Sequence, residues 1–399
     1  MRTSKPNFSP NKRAFKPRGA SPKRKKVTID LKTLTQLASQ KKETVQYESN
    51  LTIGELISNA ELRNNVLKKG YQRPTEIQEL CFSAVQRGKN VVAIANTGTG
   101  KTAAFLLPLV EEFLGNNNRR PIMVIVPTRE LALQVEEEFN WITKGMNLSS
   151  VSFIGGTNIN TDIKNLRGKQ HNIYICTPGR MLDLMQRGVA NQLNIQTLVL
   201  DEFDRMLDMG FVNDIKKIVE RLKGRSQTLL FSATRDSKQK QLMDWIAPNA
   251  EEFAVSSGAT ANEKIEQKII QVGASEDKYQ LFTSLINQEE IHKVLVFADT
   301  KRTVDRLGKK LMKEGINTGM IHGDKSQGQR NRALDLFKAG KSKVLIATDV
   351  VARGIDIDDI SHVINYQTPQ SVDSYLHRIG RTGRAGRQGV AYTFFDQLD

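Results

Sequence analysis

The residues Asn96-Thr97-Gly98-Thr99-Gly100-Lys101-Thr102 follow the apolar run Val91 to Ala95 and lead into a helical stretch from Ala103. Strand, glycine-containing loop and helix in that order are what a nucleoside triphosphate needs. Gly98 and Gly100 let the backbone bend so that successive N–H groups face a phosphate, and the helix N-terminus adds favourable potential. Lys101 is placed to neutralise the β and γ phosphates, and the Thr102 hydroxyl to ligate Mg²⁺. The first glycine of the general pattern is replaced by Ala95, so judged alone the segment also reads as a chance loop. A second group of chemistry-bearing residues ends the apolar run Leu198-Val199-Leu200: the carboxylates Asp201 and Glu202. Asp201 suits the Mg²⁺ shell and Glu202 the positioning and activation of an attacking water, because phosphoryl transfer depends on orientation and charge neutralisation. Acids favoured by a helix N-terminus are the simpler alternative.

Short apolar runs alternating with amphipathic stretches must position these groups, the pattern of βαβ units around a parallel sheet. The runs are Val91 to Ala95, Ile122 to Val126, Val151 to Ile154, Ile173 to Cys176, Thr197 to Leu200 and Thr228 to Phe231. Phe211, Ile215, Ile218, Val219 and Leu222 recur at helical spacing, which packing explains fully. A small-residue break at Ser256 to Thr260 precedes a second set at Lys293 to Phe297, Thr318 to Ile321, Val344 to Ile346 and Val363 to Tyr366. The expected organisation is a disordered basic tail at 1–46, a nucleotide-binding α/β domain at 47–256, a linker at 257–263 and a second α/β domain at 264–399. Ligands then belong in the cleft near the carboxyl ends of the strands.

A chain of 399 residues with 39% apolar and 26% charged positions fits a soluble two-domain protein. No run approaches the roughly 18 apolar residues of a membrane span, so no membrane partner is expected. Cys81 and Cys176 sit beside apolar residues and read as reduced, buried thiols, not a disulfide or a metal site. The net charge of +16 favours a polyanionic partner. Residues 1–26 hold ten Lys or Arg and no acid, which leaves +6 for the rest. That Pro-, Ser- and Asn-rich segment supports three readings: non-specific RNA attraction, a solubilising tail, or a nuclear-import signal at Pro22 to Lys26. The compact core favours a bacterial cytoplasm, with the nucleus as the alternative.

From about residue 53 to its end the chain resembles a DEAD-box RNA helicase core. Matching segments occur in the family's order: Gly70 to Gln78, Ala95 to Thr102, Pro127 to Leu131, Gly155-Gly156, Thr177 to Arg180, Asp201 to Asp204 and Ser232-Ala233-Thr234. Val296-Phe297, Gln327 with Arg330, Ala347-Thr348-Asp349, Arg353 to Asp356 and His377 to Arg384 complete the set. The resemblance implies two tandem RecA-like domains with parallel sheets flanked by helices, ATP and Mg²⁺ as cofactors, and RNA as partner. It further implies a monomer that meets ribonucleoprotein components.

Carried onto this chain, the resemblance implies that Lys101, Asp201, Glu202, Arg381 and Arg384 are catalytic, the two arginines reaching across the cleft onto the γ phosphate. A basic surface loop is the plainer reading of those arginines. Ile53, Arg73, Gln78, Asn96, Thr97, Gly98, Thr99, Gly100, Lys101, Thr102 and Asp356 would bind nucleotide, with Gln78 reading the adenine edge. Thr75 and Gln78 also have the spacing of a helix capping box. Asp204, Ser232, Thr234 and His377 would couple the domains. Pro127, Thr128, Arg129, Glu130, Gly156, Thr177, Pro178, Gly179, Arg180, Gly323, Gln327, Arg330 and Thr348 would line a sequence-independent path for the RNA backbone.

Three positions depart from the family pattern. Ile53 stands where an adenine-packing aromatic is expected, and Asn96 replaces a glutamine. Phe203 replaces the alanine of the name-giving motif, which reads Asp-Glu-Phe-Asp; an added benzyl group costs about 1–3 kcal/mol where nothing nearby is smaller. The implied activity is RNA-dependent ATP hydrolysis coupled to local unwinding or remodelling of RNA duplexes and RNA–protein complexes. An ATP-gated RNA clamp with little unwinding, its coupling weakened by Phe203, is the alternative.

Overall fold

The computed structural model describes residues 29–39, 47–96, 98–115, 120–191, 193–235, 237–255, 265–288, 290–349, 357, 359–383 and 388–396. Within them the apolar runs become two all-parallel sheets. The first comprises β1 (Val91–Ile94), β2 (Ile122–Ile125), β3 (Ser150–Phe153), β4 (Ile173–Cys176), β5 (Thr197–Leu200), β6 (Gln227–Ser232) and β7 (Glu251–Ala254), in the order β3-β4-β2-β5-β6-β1-β7. The second comprises β8 (Ile265–Val272), β9 (Val294–Phe297), β10 (Thr318–Ile321), β11 (Val344–Ala347), β12 (His362–Asn365) and β13 (Gly389–Asp396), in the order β10-β11-β9-β12-β13-β8. Central strands such as β2, β4 and β5 are buried along their whole length, as a parallel sheet covered on both faces requires. These are two RecA-like sheets, the expected fold class.

Sequence patterning does not anticipate β7, β8 or β13. β7 and β8 are edge strands paired on one side only, and some positions of each stay exposed. An edge strand keeps polar residues and so lacks the continuous apolar run that marks a central one.

The first helix among the described residues is α1 (Leu31–Ser39). Around the first sheet lie α2 (Ile53–Leu56), α3 (Ala60–Lys68), α4 (Glu76–Gln86), α5 (Lys101–Gly115), α6 (Arg129–Ile142), α7 (Ile159–Arg167), α8 (Pro178–Gln186), α9 (Phe203–Asp208), α10 (Val212–Arg221) and α11 (Ser237–Ile246). The second carries α12 (Lys278–Ile286), α13 (Lys301–Lys313), α14 (Gln327–Lys338) and α15 (Val372–Ile379). The helical spacing read at 211–222 is α10, with Ile215, Ile218 and Val219 buried. One expectation needs correction: residues 31–39 of the tail are a helix, and Ile29 and Leu34 are buried in the core of the second sheet. Residues 1–28 and the linker at 257–263 lie outside the described residues.

Cys81 and Cys176 are free and buried; burial pushes the Cys81 thiol up to about 12 and that of Cys176 well above its ordinary value. No helix among the described residues is long and apolar enough to cross a membrane.

Candidate active site

At the carboxyl end of β1 the Ala95 N–H donates to the Ser232 carbonyl at 2.9 Å, which fixes the mouth of the glycine loop against β6. Gly98 and Gly100 both take φ of +85°, a conformation glycine adopts without a steric penalty. A side chain at Gly100 would also run into the Gln78 amide. Lys101 opens α5, and its buried Nζ donates to the carbonyls of Ala95 at 2.6 Å and Asn96 at 3.2 Å. Two neutral acceptors are modest partners for a buried ammonium, so the loop is built to give Lys101 up to an anion. The Thr99 hydroxyl donates to the Asn96 carbonyl at 2.8 Å. Thr102 lies in the first turn of α5, half-buried; Thr97 lies outside the described residues.

Asp201 follows β5, its N–H bonded to the Ile125 carbonyl at 3.0 Å, and its carboxylate accepts from the Glu202 N–H at 2.9 Å. Burial pushes its pKa up to about 7, opposed chiefly by Lys101. Burial likewise drives Lys101 below its ordinary value, with Asp201 the main opposing influence. A buried carboxylate so poorly neutralised fits a hard cation, and with the Thr102 hydroxyl and phosphate oxygens it offers the all-oxygen donors that Mg²⁺ prefers. Glu202 sits in the left-handed region with φ of +52°, a costly conformation for a residue with a side chain. Burial acts to raise its pKa, but Arg205 and Arg381 outweigh burial and hold it low. Arg205 Nη1 lies 2.6 Å from its carboxylate.

Asp204 ties this strand end to the end of β6. Its Oδ2 accepts from the Ala233 N–H, the Thr234 N–H and the Thr234 hydroxyl, each at 3.1 Å. The Asp204 N–H donates to the Ser232 hydroxyl at 3.3 Å. A cavity beside this network is lined by Lys101, Glu202, Asp204, Arg205 and Ala233 from the first sheet and by His377 and Arg381 from the second. Five of the expected catalytic and coupling residues thus meet around one space. Arg384 and Asp356 lie outside the described residues. Phe203 is absent from the lining: its ring is fully buried in the core on one face of the first sheet, a cluster that also holds Met123, Met181, Met185 and Met206.

On the other side of the loop, Gln78 caps α4 by accepting from the Thr75 N–H at 3.0 Å, while its Nε2 donates to the Gly100 carbonyl at 3.2 Å. The capping arrangement therefore exists here, and it also ties α4 to the phosphate loop. Arg73 donates to the Ser49 carbonyl. Ile53 is buried and lines an apolar pocket with Gln78, Ala103 and Leu107. Sequence reasoning missed two aromatics on that pocket: Tyr71 and Trp141 stack with centroids 6.2 Å apart and planes within 5°. Tyr71 stood within a recognised segment, but nothing in the sequence connects it to a residue 70 positions later.

The expected RNA residues divide into two groups. Pro127 is buried and Thr128 caps α6 through the Leu131 N–H at 3.3 Å. Gly156, with φ of +81°, lies against the Arg129 guanidinium. The Thr177 hydroxyl accepts from the Gly155 N–H at 3.3 Å, Pro178 starts α8, and Gly179, Gly323 and Thr348 keep exposed or half-exposed positions at strand ends. The second group is engaged internally. Arg180 is buried and bonded to Asp162 and to the hydroxyl and carbonyl of Thr157, so it braces the loop after Gly156. Arg129, Glu130, Gln327 and Arg330 bond to one another across the cleft: Arg330 Nη2 lies 2.7 Å from Glu130 in a buried ion pair, Arg129 Nη1 donates to Gln327 at 3.2 Å, and Gln327 Nε2 donates to Glu130 at 3.0 Å. Arg378, which has no role in the sequence analysis, is a polar hub of the second sheet; it pairs with Asp349 at 2.6 Å and Asp299 at 3.3 Å and lies over the Phe297 ring.

Comparison with known proteins adds to this geometry. Residues 75–242 match the DEAD/DEAH box helicase family, and residues 277–386 match the helicase conserved C-terminal domain. The ATP-dependent RNA helicase RhlB of Pseudomonas syringae is 38% identical over 351 residues, covering 85% of this chain and 87% of the relative. The ATP-dependent RNA helicase CshA of Limosilactobacillus reuteri is 41% identical over 330 residues, 82% of this chain and 66% of the relative. Among solved structures, Dbp5 of S. cerevisiae bound to RNA and ADP BeF3 superposes with a TM-score of 0.76 at 34% identity, covering 87% of this chain and 90% of that one.

Proposed function

Since the chain belongs to the DEAD-box family of ATP-dependent RNA helicases, we propose that it hydrolyses ATP at the cavity between its two sheets and couples that hydrolysis to local unwinding or remodelling of RNA. The observation that carries this reading is the composite lining: Lys101, Glu202 and Asp204 from one sheet, His377 and Arg381 from the other. A site completed by two halves works only when they meet, so ligands that favour the meeting also favour hydrolysis. The Asp-Glu-Phe-Asp stretch at 201–204 takes the place of the family's name-giving motif.

In this reading the triphosphate displaces the Ala95 and Asn96 carbonyls from Lys101 and lies on the N–H groups of residues 98–101. Thr102 and Asp201 would hold Mg²⁺, which when bound offsets phosphate charge. Glu202, kept ionised beside Arg205, orients the attacking water and accepts its proton; Arg381 meets the charge that develops on the γ phosphate. Gln78 senses adenine by exchanging its cap for the base edge, and the apolar wall of Ile53 contributes contact without stacking. Single-stranded RNA lies across Gly156, Thr177, Gly179, Gly323 and Thr348, where backbone and hydroxyl groups meet phosphate and 2′-hydroxyl without reading bases. Arg129, Glu130, Gln327 and Arg330 hold the two halves of that path together.

The clamp alternative rested on Phe203 disturbing the catalytic strand end. With the ring in the core, away from the cavity, the coupled ATPase is the reading the geometry favours. RNA-stimulated ATPase of purified Glu202→Gln tests it: the expected outcome is loss of turnover with nucleotide binding retained, and wild-type turnover would sink the assignment.

A further inference from the structure

We propose that the N-terminal helix α1 is a working part of the second sheet, and that Ile29 and Leu34 are positioning residues that set the helix carrying His377 and leading to Arg381. The inference rests on the reading above that Arg381 completes the ATPase site.

The segment is built to fold locally. Asp30 caps α1 by accepting from the Thr33 N–H at 2.7 Å, and its carbonyl accepts from the Leu34 N–H at 3.1 Å. Leu31, Leu34 and Leu37 follow at intervals of three, which puts them along one side of a short helix. A nine-residue helix is marginal alone in water, so its stability comes from what it packs on.

Its docking surface is specific. Leu34 is fully buried and Ile29 nearly so in a cluster with Ile265 of β8 and with Tyr375 and Ile379 of α15; Leu37, Val372 and Leu376 pack at its margin. Val372, Tyr375, Leu376 and Ile379 are the whole apolar face of α15, so α1 shares the core on which that helix is seated. The Ile29 N–H also donates to the Pro369 carbonyl at 3.3 Å, two residues before Ser371 caps α15. α1 packs against β8 and meets α15 through this shared core, and the Ile29 hydrogen bond pins the turn before α15, the helix that carries His377 and leads to Arg381. Further along, Tyr47 and Ser49 bond to Glu79 of α4 on the first sheet, Tyr47 at 2.6 Å. One N-terminal segment therefore contacts both halves of the enzyme.

The test compares wild type, Leu34→Asp, Leu34→Met, and deletions of residues 1–28 and 1–46, at saturating RNA and well below each melting midpoint. Leu34→Asp and the longer deletion are expected to lower RNA-stimulated kcat about five- to tenfold, the scale of a modest coupling between sites. The KM for ATP should stay near wild type, because the phosphate loop lies on the first sheet. Leu34→Met and the 1–28 deletion should keep wild-type kcat, which separates the helix from the basic residues before it. The longer deletion keeps the test decisive if Leu34→Asp does not fold. A kcat for the 1–46 deletion within about twofold of the 1–28 deletion overturns the inference. Absence of RNA-stimulated ATPase in the wild type would instead overturn the proposed function.

Discussion

Truncating Phe203 to alanine would empty a ring-sized space in a core cluster rich in methionine. Methionine adapts its shape to its neighbours, so a methionine-rich core suits a phenylalanine where the family pattern has alanine. Removing a buried phenyl group costs about 3–5 kcal/mol, so Phe203→Ala should melt earlier by thermal unfolding yet keep its ATPase in the cold. An unchanged midpoint with altered nucleotide affinity would put the ring in the cleft instead. Asp201 makes the second prediction at this scale. Burial raises its folded pKa to about 7, above the ordinary carboxylate value. The associated stability is therefore fully present below the unfolded pKa and lost as pH rises through about 7. Only the ionised form can serve Mg²⁺, so MgATP affinity should fall about tenfold for each unit below pH 7. Titration by calorimetry checks this, and a slope that persists in Asp201→Asn would assign it elsewhere. The phosphate loop and the two acids were legible in the sequence because their chemistry demands residue types at fixed spacing. The direction of the Phe203 ring was not, because spacing along a chain does not say which face of a sheet a side chain enters.

The clasp between α6 and α14 shows what elements add to residues. Arg330→Ala leaves Glu130 buried and unpaired when the halves meet, and breaking a buried pair in this way costs about 3–5 kcal/mol. When the halves part, water can solvate Glu130, so the penalty falls on the closed form. The expected result is weaker RNA binding in the presence of an ATP analogue, by tenfold or more, with little change in the melting of the ligand-free protein. The Glu130→Ala, Arg330→Ala double variant should recover part of the loss, and additive losses would deny the pairing. Sequence reading identified Glu130 and Arg330 but assigned both to RNA, since 200 positions separate partners that only the fold brings together. The buried strands were readable as apolar runs. Edge strands β7 and β8 were not, because one exposed side admits Glu251, Glu252, Glu266 and Lys268. Helix α1 left a usable signal, Asp30 followed by three leucines, which the basic composition of residues 1–26 obscured.

For the whole molecule, the division of charge still matters: ten cations in the first 26 residues leave +6 on the rest. A modestly basic core suits the proposed grip on RNA through a few backbone contacts, with affinity set by closure. Two parallel sheets meet so that a lysine and a glutamate from one face an arginine from the other. In the proposed reaction ATP binding belongs to the first sheet, and hydrolysis requires both. Arg381 separates these two steps most directly, since it comes from the second sheet while the phosphate loop belongs to the first. RNA-stimulated turnover of Arg381→Ala at saturating ATP should fall by about 10³ to 10⁵, the range of an arginine finger, while ATP binding persists. Turnover within about twofold of wild type would contradict a hydrolysis site assembled from both halves.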